Sequence, residues 1–75
     1  MYKYYVNGIG RELIGSWRSW SVYDDSGNRL SSSPNILSAI LEADYDSMTW
    51  DQANMIESVI IDIMREREGR TCRFQ

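Results

Sequence analysis

The chain has 75 residues, a formal charge of −3, 43% hydrophobic and 12% aromatic residues, one cysteine and no histidine. This is enough for one domain with a small core, and too apolar for a disordered segment. A single cysteine excludes an internal disulfide framework, and the absence of histidine removes the commonest general base, metal ligand and triad member.

Tyr2-Lys3-Tyr4-Tyr5-Val6 is aromatic and β-prone, and Asn7-Gly8 punctuates it, so a first strand is predicted there. Residues 9–15 place Gly10 and Gly15 around an Arg-Glu-Leu-Ile patch, which suits a loop, a wide hairpin connection or a bulged continuation. Ser16 to Tyr23 predicts a second strand, with Trp20 and Val22 on one face and Trp17 and Tyr23 on the other. Asp24-Asp25-Ser26-Gly27-Asn28 is the clearest hairpin turn: Gly27 and Asn28 tolerate positive φ, and Asp25 and Ser26 bond to local backbone. Arg29-Leu30-Ser31 then returns as a short third strand.

Ser33-Pro34 predicts a helix N-cap followed by proline at the first helical position, ahead of the apolar Ile36, Leu37, Ile40 and Leu41. This helix runs to about Ala43 or Tyr45. The strongest local signals belong to a second helix, from Thr49 to Gly69. Thr49 and Gln52 fit a capping box, and Ala53, Ile56, Val59, Ile60 and Ile63 recur at the period of one buried stripe. Asp51 in the first turn, and Arg65 and Arg67 in the last, complement the helix dipole. Cys72 and Phe74 in the tail offer a further edge strand.

The expected architecture is α+β: a two- or three-stranded antiparallel sheet packed against two helices, in the order ββ(β)αα, as one domain over residues 1–75. No apolar run is long enough to span a membrane and no signal-like segment opens the chain, so a cytoplasmic protein is expected. Ile61, Met55 and Met64 widen the apolar side of the second helix beyond the need of a small sheet, and the spare surface suits either a homodimer through Ile61 and Met64 or a partner.

Catalytic chemistry is not legible. Cys72 has no evident basic partner, the ligands for a zinc site are absent, and the glycines lack the strand–glycine–helix context of a nucleotide loop. The acidic run lacks the register of a calcium loop. The expectation is therefore no enzyme and no cofactor.

Two features remain. Residues 31–64 carry Glu42, Asp44, Asp46, Asp51, Glu57 and Asp62 with no basic residue, between two mildly basic ends. Glu42, Asp44, Asp46 and Asp51 fall around the predicted helix–helix corner. There they are either solvated charges or a surface that docks on a basic partner. Trp17, Arg18, Trp20 and Tyr23, with Tyr4 and Tyr5, are explained by core and cross-strand packing, by base stacking on single-stranded nucleic acid, or by a protein interface in which Trp, Tyr and Arg are enriched. The weak positive charge of this half gives little attraction for phosphate, so no direct nucleic-acid partner is expected.

In size, acidity, aromatic content and ββ(β)αα layout the chain resembles the anti-CRISPR proteins of bacteriophages and mobile elements. The resemblance covers the format of the whole chain and no motif. It implies a phage-encoded, stoichiometric inhibitor working in the host cytoplasm, where it docks on a host protein or ribonucleoprotein complex with a basic surface. Such an inhibitor blocks DNA recognition or nuclease recruitment. The alternatives are a small nucleic-acid-binding regulator using the sheet aromatics and Arg18, and a phage structural or assembly protein.

Overall fold

The computed structural model describes Met1–Glu68. Four strands and two helices follow one another along the chain: β1 (Tyr2–Val6), β2 (Arg11–Ser16), β3 (Ser19–Tyr23), β4 (Arg29–Ser33), α1 (Ile36–Ala43) and α2 (Trp50–Arg67). The strands form one antiparallel meander in the order β1-β2-β3-β4. The class is α+β as expected, but the sheet has four strands rather than two or three.

The extra strand comes from residues 9–15 and from the division of the predicted second strand. Ser16 and Ser19 pair with each other, which leaves Trp17 and Arg18 as a two-residue turn between β2 and β3. Gly15 makes this hairpin possible. It is buried, and a Cβ there would lie 2.2 Å from the Ser19 carbonyl oxygen and 2.6 Å from the Trp20 indole. The absent side chain is the space that the Trp20 ring uses.

The Asp24–Asn28 turn forms as the sequence indicates. The Asp24 carboxylate accepts from the backbone N–H of Ser26 and of Asn28, both at 2.9 Å, and Gly27 has φ 87°. β4 extends to Ser33, two residues beyond its predicted end, and this displaces the start of α1. Ser33 is buried in the ladder opposite Trp20, and the N-cap is Asn35, whose side chain accepts from the Ser38 N–H at 2.8 Å. Pro34 favours an extended residue before it, which suits the end of a strand better than a cap.

Both helices cover one face of the sheet. Leu13, Trp20 and Val22 from that face form the core with Ile36, Ala39 and Ile40 of α1 and Ala53, Ile60 and Met64 of α2. α1 lies against β3, β4 and α2, and the Ser31 hydroxyl fastens it by donating to the Ala39 carbonyl at 2.6 Å. Tyr2, Tyr4 and Val6 pack against the core from β1. By strand alternation Lys3, Tyr5, Glu12, Ile14, Ser21 and Tyr23 share the opposite face.

The Thr49–Gln52 capping box is present in α2. Its buried side is rotated from the predicted stripe: Val59 is exposed, whereas Met64 is 1% exposed and Ile61 half-buried. The homodimer expected through Ile61 and Met64 is thus corrected, because Met64 is spent inside the core. The strand expected around Cys72 and Phe74 lies outside the described residues. Among the described residues no helix is long and apolar enough to cross a membrane.

Candidate functional site

The segment between the helices, residues 44–49, is a compact corner rather than a slack link. The Asp44 N–H closes α1 by donating to the Ile40 carbonyl, and the Asp44 carbonyl accepts from the N–H groups of Ser47 and Met48 at 3.1 and 2.9 Å. Thr49 then starts α2. The Asp44 side chain is held from the sheet: Arg11 Nη2 lies 2.9 Å from its Oδ1, and Arg11 Nε lies 3.1 and 3.2 Å from its two oxygens. Arg11 Nη1 also donates to the carbonyls of Ile9 and Gly10. One planar guanidinium therefore joins the β1–β2 turn to the helix corner in a forked, charge-assisted contact. It makes the only ion pair between described residues.

Around this brace the corner is exposed. Tyr45 is 85% and Trp50 is 61% accessible, and Glu42, Asp46 and Asp51 are exposed beside them. Glu42 stands in the last turn of α1, where a carboxylate meets the negative end of the helix dipole at a cost of about 0.3–1 kcal/mol. Stability alone would place a cation there. Next to the corner, Val6, Ile9, Met48, Gln52, Met55 and Ile56 line an open, mostly apolar groove of about 200 Å³.

The residues singled out from sequence do not form one surface. Glu42, Asp46 and Asp51 meet at the corner, together with Asp44, which is committed to Arg11 and is not a free contact. Trp20 is 1% exposed and belongs to the core, so it is corrected from an interface residue to a structural one. Tyr23 is half-buried on the uncovered sheet face, across from Glu12. Trp17 and Arg18 occupy the β2–β3 turn at the far end of β2 from Arg11, about 17 Å away along the strand. There the Trp17 indole N–H donates to the Glu68 carboxylate at 2.7 Å.

Sequence reasoning missed Tyr45, Trp50 and Arg11. The signal for the aromatics was their setting: Asp44-Tyr45-Asp46 and Thr49-Trp50-Asp51 place rings between polar residues and off the buried period of either helix. No local pattern couples Arg11 to a carboxylate 33 residues away.

Comparison of the chain with protein-family models, curated proteins and solved structures finds no match.

Proposed function

We propose that this protein is a non-enzymatic inhibitor that docks the α1–α2 corner on a basic surface of a host protein or ribonucleoprotein complex, in the manner of an anti-CRISPR protein. The observation that carries the reading is the exposure of Tyr45 and Trp50 among Glu42, Asp46 and Asp51, on a corner fixed by Arg11. Exposed aromatics supply apolar contact area with few rotatable bonds, and flanking carboxylates select and steer a cationic partner. The Arg11 brace keeps the corner in one shape, which lowers the ordering cost of binding.

The nucleic-acid reading is less well supported. The sheet aromatics do not share a face, since Tyr4 and Trp20 pack inward while Tyr5 and Tyr23 face outward, with Glu12 between them in the ladder and Asp25 on the Tyr5 hydroxyl. Carboxylates beside the two outward rings oppose a phosphate backbone.

The direct test is a panel of purified CRISPR effector complexes, scored for binding by biolayer interferometry and for target-DNA recognition. The expected result is stoichiometric inhibition of a complex in the panel, lost when Tyr45 and Trp50 are both replaced by Ala. Failure to inhibit any complex removes the anti-CRISPR reading. Inhibition that persists in the double variant removes the corner.

A further inference from the structure

β1 is an edge strand of the sheet, and no described element pairs with its outer side. The Val6 carbonyl turns toward the β1–β2 loop, where it accepts from the N–H groups of Ile9 and Gly10 at 3.3 and 3.0 Å. Antiparallel pairs alternate along a ladder, so Tyr2, Tyr4 and Val6 direct their backbone groups at β2, opposite Gly15, Leu13 and Arg11. Lys3 and Tyr5 direct theirs at the open edge. Natural edges are blunted by proline, bulges, covering elements or charged side chains; Tyr2–Val6 has no proline, pairs with β2 without a register shift, and carries a single charge, Lys3, on the uncovered sheet face.

We infer that β1 is the contact for a second copy of this chain, paired antiparallel about a two-fold axis at Tyr4, so that two four-stranded sheets become one continuous sheet. In this register Lys3 of each copy lies opposite Tyr5 of the other, and both exposed sets of backbone groups are satisfied in the same pairing. No other register joins Lys3 to Tyr5 in both copies at once.

The side chains match the same register. Lys3 and Tyr5 are exposed on the uncovered sheet face, and Lys3 forms no ion pair with another described residue. Tyr5, by contrast, lies in a field of carboxylates: its hydroxyl donates to Asp25 Oδ1 at 2.5 Å, and its neighbour on β2 is Glu12. Pairing brings Lys3 of each copy to the carboxylates around Tyr5 of the other, twice by symmetry. On the opposite face Tyr4 meets its own counterpart on the axis, and Val6, which lines the apolar groove with Ile9 and Met55, meets the counterpart of Tyr2. Strand addition of this kind draws affinity from main-chain bonds and specificity from the alternating side chains. The two-fold makes the contact isologous and closed, so it ends at a dimer.

The full chain tests this in solution. Analytical ultracentrifugation should show a monomer–dimer equilibrium, and the amides of Lys3 and Tyr5 should exchange with solvent more slowly as concentration rises. Those of Tyr2, Tyr4 and Val6 should be protected at every concentration, because β2 already holds them. Lys3→Glu sets like charges against each other at both symmetric positions and should weaken the dimer by about tenfold or more. This variant touches only an exposed side chain, so a circular dichroism spectrum and melt that match wild type at a concentration where both are monomeric confirm that its fold is intact. A chain that stays monomeric up to about 1 mM overturns the proposal. So does a dimer whose Lys3 and Tyr5 amides exchange independently of concentration, or one that Lys3→Glu leaves unaltered.

Discussion

A methyl group at position 15 has nowhere to go. It would overlap backbone at Ser19 and the face of Trp20, and neither is the free end of a flexible side chain. Gly15→Ala should therefore cost about 3 kcal/mol, at the upper end of ordinary overpacking, and a urea melt should show the loss. That is a large fraction of what so small a domain has. Asp24 governs the next hairpin differently. The pKa of its carboxyl is held below that of an ordinary aspartate, first by the backbone N–H of Asn28 and also by the Asn28 side chain and the Ser26 N–H. A depressed folded-state value means that the turn is favoured above the unfolded value of 3.8 and loses that support as pH falls through the lower, folded one. In a pH titration followed by NMR, the Ser26 and Asn28 amides should keep their turn shifts below pH 3.8 and then lose them. Asp24→Ala should abolish those shifts at every pH.

α2 and β2 differ in how openly the chain announces them. The helix carries its signals in neighbouring residues, the Thr49–Gln52 box and the three-and-four spacing, and both survive in the structure. Thr49→Ala should cost about 1 kcal/mol in a thermal or denaturant melt. Which face of the helix is buried was less legible: Val59 and Met64 are apolar alike, and only the seat of α2 on the sheet decides that Met64 goes inside. β2 was illegible for a physical reason. Its buried positions are Leu13 and Gly15, and a glycine that is buried to admit another residue's ring leaves no apolar mark in its own sequence. The start of α1 was misplaced because Ser33 has the chemistry of a cap but a strand position, and the ladder with Trp20 takes precedence.

Across the whole molecule, the acidic block was readable as a concentration of charge, while the division of labour within it was not. Asp44 is structural because Arg11 reaches it across 33 residues of sequence, and Glu42, Asp46 and Asp51 are left facing water. Arg11→Ala should lower stability by about 1–2 kcal/mol, with 26% of the Arg11 side chain and 11% of the Asp44 side chain still accessible to temper the loss. Tyr45→Ala and Trp50→Ala should leave the melt within about 0.5 kcal/mol of wild type, while each costs about 2 kcal/mol or more of affinity for the docking partner. The two readouts separate brace from contact. At the far end of the sheet, Glu68 closes a different circuit: its carboxylate accepts from the Tyr2 hydroxyl and the Trp17 indole, so the first strand and the end of the last helix are neighbours. Topologically the described residues almost close a ring. Joining Glu68 to Met1 through a short Gly-Ser linker and reopening the backbone at the exposed Gly27 should give a circular permutant that folds to the same sheet and helices.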